Sequence, residues 1–285
     1  VRILPGVTYG GSFNSYLSVR GGDPMGLTHV MDGFVIKYPY HWGGGVSIFN
    51  PHLIESVELS AGIFPVKYGQ ATSGLMEVTT VRPDSGLRWE YAQSTSTLEG
   101  YAQIPFGSDN RSGLLVGTRL TNYDLVFAMT GFLLEDTGVT FSRVPYIYDG
   151  YVSWYSRPTE RTEWYINSFI GTDGIGVEAL NPDANPEKEI VDSFDFRWIN
   201  QDLFLSVGVK QLLTDRLLLS GVAGYENWVA KVDARINEQG TREYSDPFVD
   251  LYDDLPGVDR GESFTVDADS HFYNTDTLHH YQGRL

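Results

Sequence analysis

The sequence reads as a mainly β chain in two regimes: a small α+β globule over residues 1–82, then long antiparallel strands over residues 83–285. Three observations lead there. Of 285 residues, 31 are Gly and 18 are Tyr, and aromatics make up 14%. That mixture favours strands joined by tight turns. Near residue 82 the pattern changes, from short glycine-broken pieces to long alternating runs. In the second regime the connections then differ in length by turns, short at one end and mostly long at the other.

Composition also excludes. The net charge is -17, from 37 acids and 20 bases. A nucleic-acid partner needs a basic face, so none is expected. Without cysteine there is neither a disulfide framework nor a thiolate metal site. No apolar run approaches the ~18 residues of a transmembrane helix. A mean hydropathy of -0.21 still suits a membrane barrel, whose strands alternate apolar and polar residues and escape hydropathy plots. No GxSxG, HExxH or Walker loop is present, and the glycines of "WGGGVS" precede no Lys-Ser/Thr pair, so an enzyme is not expected. The chain opens at Val1 without a targeting signal and stops after a strand-like run, which reads as part of a longer protein.

In the first regime, "SYLSVRGG" alternates, with Tyr16, Ser18 and Arg20 on one face and Leu17 and Val19 on the other. "THVMDGFVI" predicts a hairpin, since Asp32-Gly33 supplies the positive-φ positions of a two-residue turn. In "HLIESVELSAG", Leu53, Ile54 and Val57 have helical spacing before a strand begins. "GLMEVTTVRP" predicts a last strand.

The second regime holds about eight strand-like runs, beginning with "GLRWEYAQ" and "TLEGYAQIPF" and ending with "HFYNTDTLHHYQGRL". Short turns fall at Gly107–Arg111, Arg157–Glu160 and Thr214-Asp215. Long stretches run from Thr121 to Val144, read as irregular, from Asp173 to Ile190, and from Asn237 to Asp269. Outer-membrane barrels sort their loops this way, short on the periplasmic side and long outside. Leu203, Leu205, Val207 and Val209 share one face, opposite Phe204, Ser206, Gly208 and Lys210. Trp154, Tyr155, Trp164 and Tyr165 bracket one short turn, where an interfacial aromatic girdle is expected. From the rhythm alone, a large soluble β protein with uneven loops stays open.

The first regime also carries an ordered set of motifs: Pro5-Gly6-Val7, Ser18-Val19-Arg20-Gly21, Asp32-Gly33, Ile54-Glu55-Ser56-Val57-Glu58, Tyr68-Gly69, and Gly74 through Thr80. In order and spacing these resemble the later part of the plug domain of a TonB-dependent outer-membrane receptor. The resemblance implies a plug followed by the first strands of a barrel of about 22, in a bacterial outer membrane. It implies uptake of a scarce nutrient, such as an iron-siderophore, cobalamin or an oligosaccharide, with no resident cofactor. The implied partners are the bilayer and its lipopolysaccharide, the small-molecule or oligosaccharide ligand, and the TonB-ExbB-ExbD complex, engaged through a segment not in this chain. Two other readings remain: a barrel serving assembly or adhesion, and a soluble β-rich binding protein.

The same resemblance nominates residues. Arg20, Gly21 and Arg82 are expected to anchor the plug to the barrel wall, with Arg20 paired to wall carboxylates. Tyr38, Tyr40, His41 and Trp42 are expected on the outward face, stacking on the solute. His29, His41 and His52 match no metal-ligand spacing, so no metal site is expected. The stretch Glu238–Asp269 holds ten acids and two arginines. It reads as a solvated outer loop, with bridging by divalent cations left open.

Overall fold

The computed structural model describes residues 6–9, 15–69, 71–83, 86–107, 109, 111–131, 139–180, 191–243 and 263–284. The first part of the chain forms β1 (Val7–Tyr9), β2 (Leu17–Val19), β3 (Leu27–Met31), β4 (Phe34–Ile36), β5 (Tyr40–His41), β6 (Val46–Ser47), β7 (Ile54–Ser60) and β8 (Gly74–Thr80). Four of these make a mixed sheet in the order β4-β3-β8-β7, with β3 parallel to β8. Asp32 and Gly33 join β3 to β4 with φ of 47° and 87°, so the hairpin turns as the sequence requires. The only helical pieces among the described residues of this part are 3-10 turns, and one, Pro51–Leu53, stands where helical spacing was read. Asn50 caps it, but Ile54 is already extended and leads into β7, whose ladder with β8 decides the outcome.

The second part is one antiparallel sheet of eight strands in chain order: β9 (Arg88–Gln93), β10 (Thr97–Phe106), β11 (Ser112–Thr121), β12 (Val139–Thr159), β13 (Thr162–Leu180), β14 (Val191–Thr214), β15 (Leu217–Glu243) and β16 (Ser263–Arg284). A helix, α1 (Tyr123–Thr130), sits in the stretch read as irregular. Strand β15 has 27 residues, far beyond the ~9–11 that cross a bilayer. The sheet therefore extends well past the membrane on the side of the long connections.

One face of the sheet is apolar and open, with Leu203, Leu205 and Val207 each more than 40% exposed. An apolar band at that height suits lipid. On the other face Leu115, Tyr151, Phe169, Phe204 and Val222 share a single core with Leu17, Val19, Phe34, Leu53 and Met76 of the first part. Two wall glycines permit this contact. A Cβ at Gly117 would come within 2.7 Å of Leu53, and one at Gly224 within 2.7 Å of Phe34. The girdle expectation holds for half its members. Tyr155 and Tyr165 are 3% and 4% exposed and point inward, while Trp164 faces out at 44%. Period-2 alternation says which residues share a face, and aromatic neighbours in sequence necessarily divide between the two.

Candidate functional site

Among the described residues, three of the polar junctions between the first part and the wall are built on a buried charged side chain, Asp32, His41 or Glu226. The lowest, near the short turns, centres on Asp32 at the β3–β4 hairpin. Thr80 Oγ1 donates to Asp32 Oδ2 at 2.6 Å, and Arg82 Nη2 to Oδ1 at 3.0 Å. From the wall, Asn167 Nδ2 donates to Oδ2 at 3.0 Å and the Tyr165 hydroxyl to the Asp32 carbonyl at 2.7 Å. The Arg82 guanidinium lies 5.2 Å from both the Tyr155 and Tyr165 ring centres and 3.8 Å from Glu163. This is a desolvated ion pair whose carboxylate accepts from Thr80, Arg82 and Asn167.

The second junction centres on His41, which is 1% exposed. Its Nδ1 lies 2.8 Å from Asp173 Oδ1 and its Nε2 3.2 Å from Asp149 Oδ2. The Trp42 amide donates to Asp173 Oδ2 at 3.0 Å, and Asn200 Nδ2 to Oδ1 at 3.0 Å. Arg119 Nε donates to Asp149 at 2.8 Å, and its Nη2 to the Ser47 carbonyl at 3.0 Å. Burial pushes the His41 pKa down, but the hydrogen bonds to Asp149 and Asp173 and the Asp173 charge outweigh it, so the net shift is upward. A carboxylate at each nitrogen favours the imidazolium form, in which both nitrogens donate. His29 nearby behaves oppositely: burial outweighs a backbone hydrogen bond at Leu27 and lowers its pKa to about 4, and the Tyr40 hydroxyl, not a carboxylate, lies at its Nε2, at 3.1 Å.

The third junction is Glu226, 0% exposed, which accepts from the amides of Lys37 at 2.9 Å and Tyr38 at 3.1 Å. Asp149, Asp173, Asp202 and Glu226 thus stand on four consecutive strands, β12 to β15, all facing the first part.

Of the residues nominated from the sequence, Arg82 lies at the Asp32 junction. Among the described residues, Arg20 has no hydrogen bond or ion pair to β9–β16. It is exposed, and among the described residues it makes no ion pair. It occupies a turn with Gly21, at φ of 53° and 75°, closed by the Gly22 amide donating to the Val19 carbonyl at 2.9 Å. Among the described residues, Arg20 and Gly21 turn the chain, and the anchoring expected of them has no partner on β9–β16. Tyr38, Tyr40, His41 and Trp42 form no common surface. Tyr40 is 6% exposed and packs edge-on against Tyr16 and His29, while His41 turns to the wall. Tyr38 lies over Trp228, with ring centres 4.3 Å apart, and Trp42 beside Tyr123 of α1 at 5.6 Å. Burial of successive residues in β5 overrides the exposure expected of them. His52 sits near Glu90 and Glu99. Among the described residues no three His, Asp or Glu side chains could together hold a metal ion. Residues 244–262, the middle of the acidic stretch, lie outside the described residues, and so does its cation-bridging reading.

Sequence reasoning missed Asp149, Asp173 and Glu226. Each is an isolated acid within an alternating strand, and only its inward parity, shared with Tyr151, Phe169 and Val222, marks it.

A globule seated by its own core against the inward face of such a sheet defines a plugged outer-membrane barrel. Residues 1–75 match the family model described as the TonB-dependent Receptor Plug Domain, which identifies this part of the chain as a plug domain and fits a bacterial outer membrane. No curated protein matches the chain. Among solved structures, the alcaligin outer-membrane receptor FauA from Bordetella pertussis is 11% identical, with a TM-score of 0.38 and coverage of 99% of this chain and 53% of that one. A mutant of the ferric enterobactin receptor PfeA from Pseudomonas aeruginosa gives 12%, 0.42, 99% and 54% on the same measures. The ferric yersiniabactin uptake receptor FyuA from Yersinia pestis gives 14%, 0.30, 99% and 58%. The chain therefore spans little more than half the length of the structures it matches.

Proposed function

We propose that the protein is a TonB-dependent receptor and transporter, not an enzyme, which takes up a scarce nutrient such as an iron-siderophore, cobalamin or an oligosaccharide. The observation that carries this reading is the plug match over residues 1–75. The three junctions support it, because they tie the plug to the wall through buried polar pairs. Such pairs add little net stability but hold one geometry, which suits a part that is held and then displaced. The TonB-ExbB-ExbD complex is the proposed source of that displacement. We place the division between plug and barrel at residue 82, between the last plug strand β8 and the first wall strand β9. Trp42 and Tyr123, at the end with the long connections, are the proposed first contacts for the solute.

The test is accumulation of labelled ferric siderophores, cobalamin and oligosaccharides by cells with and without the protein, each in TonB-competent and TonB-deficient backgrounds. Accumulation of one ligand that needs both the protein and TonB is expected. Ligand entry indifferent to TonB would sink the reading.

A further inference from the structure

Asp202 stands apart from the other wall carboxylates. It is 4% exposed, yet neither of its oxygens has a hydrogen-bond partner among the described residues. The adjacent Leu203 amide offers a favourable dipole without meeting hydrogen-bond geometry. Its charged neighbours, Glu226 and Asp173, are also acids. A carboxylate in that position is costly to bury unless a cation or several donors meet it.

Its surroundings specify what would meet it. Asn200, two residues along the same strand face, spends its amide nitrogen on Asp173, which leaves its Oδ1 as a third acceptor without a donor. The orientation is forced, because Asp173 only accepts. Trp228 pairs directly across from Asp202 on β15, and Trp198 lies four residues before it on β14. The indole nitrogens of both are buried and without partners. Three acceptors beside indole rings suit an ammonium group, which brings three N–H donors and binds aromatic faces. The two indole N–H groups suit an oxygen carried next to that ammonium. The plug lies over this place: Tyr38 stacks on Trp228, with its hydroxyl in the field of Asp202 and Asp173, and Gly43 packs against the Trp198 ring.

We propose that Asp202, Asn200, Trp198 and Trp228 form a site on the barrel wall for an ammonium-bearing solute with a neighbouring oxygen, covered by Tyr38 while the plug is seated. The site deepens the uptake reading by naming a class of solute, and rests on it. Its test is a binding measurement that does not require uptake, so the two fail separately.

Ethanolamine, protonated at neutral pH, is the probe, and ethylene glycol is its uncharged counterpart. Binding to the purified protein in detergent is read from tryptophan fluorescence and from saturation-transfer NMR. Tyr38→Ala should bind ethanolamine more tightly than the wild type, because the cover is gone. Adding Asp202→Asn to that variant should weaken binding by at least about tenfold, the scale of a lost charge-assisted hydrogen bond. Ethylene glycol should not compete. Equal affinity in the single and double variants overturns the site, and equal binding of ethylene glycol overturns the class of ligand. Should Tyr38→Ala fail to fold, Tyr38→Leu gives the same comparison with the apolar packing kept.

Discussion

The Asp32 and His41 junctions both tie the plug to the wall, and they do so with different chemistry. Asp32 meets an arginine, whose charge no accessible pH removes. His41 meets two carboxylates with an imidazole, whose charge a rise in pH can remove. At Asp32 the acceptors are filled from both plug and wall. A few residues from His41, Asp202 has none filled. The difference separates a fixed hinge near the short turns from a releasable edge near the long ones. A plug that gives way would then do so first along β5 and the segment before it, and last at the β3–β4 hairpin.

Substitution at the hinge should have the largest effect. Asp32→Asn keeps a residue that tolerates φ of 47° but removes the nearer of the two carboxylates that meet the buried Arg82, leaving only Glu163 at 3.8 Å. Breaking one side of such a pair costs about 3 kcal/mol or more. The readout is thiol labelling of Val30→Cys, a buried plug position at 1% exposure, during a urea titration. The labelling midpoint should fall sharply. An unchanged midpoint would mean that the hinge lies elsewhere.

His41→Gln should loosen the other edge by about 1–3 kcal/mol, the range for hydrogen bonds to charged groups. The pH dependence sharpens the comparison. The folded pKa of His41 is raised above its unfolded value. Its contribution is therefore complete below about 6.5, the unfolded value, and is lost as pH rises through the folded value. His29 runs the other way: its folded pKa is about 4, so its contribution is complete above about 6.5 and is lost as pH falls toward 4. Plug stability should decline on both sides of a maximum, and His41→Gln should flatten only the alkaline side. A wild-type profile with no alkaline decline, or an alkaline decline that survives the His41→Gln substitution, would remove His41 as a releasable tie.

The elements were legible because strands declare themselves locally. The alternation from Leu203 to Lys210 and the Asp32-Gly33 turn need no distant partner to be read. The junctions were not, because His41 meets residues 108 and 132 positions away, and nothing near Asp149 or Asp173 announces a histidine. Helix α1 was hidden inside a connection judged by its length alone. Tyr155 and Tyr165 were assigned to lipid because the aromatic cluster was read as a unit, while the pleat divides it.

Asp202→Asn should act in the opposite sense to the first two substitutions. It replaces a buried carboxyl group that no donor meets and that stands beside two other acids, so the urea midpoint should rise, by an amount on the order of 1 kcal/mol. A destabilised variant would show that the carboxylate is already satisfied in the resting protein, and the contrast between hinge and edge would weaken.

The smallest effect is expected at Arg20, where the resemblance placed an anchor and the structure shows a turn. An exposed side chain away from the wall should tolerate truncation, and Arg20→Ala should change stability by no more than about 0.5 kcal/mol. The backbone makes a sharper test. A non-glycine residue at φ of 53° carries strain that glycine does not. Arg20→Gly should therefore match or exceed the wild type in the same urea titration, although it removes the whole side chain and loosens the unfolded chain. If Arg20→Ala instead costs as much as Asp32→Asn, the guanidinium is a third tie to the wall and the turn is incidental. If both variants stay near the wild type, the Ser18–Gly21 motif holds its place in this plug for the bend it makes in the chain, and the charge on Arg20 is free to serve the solvent side.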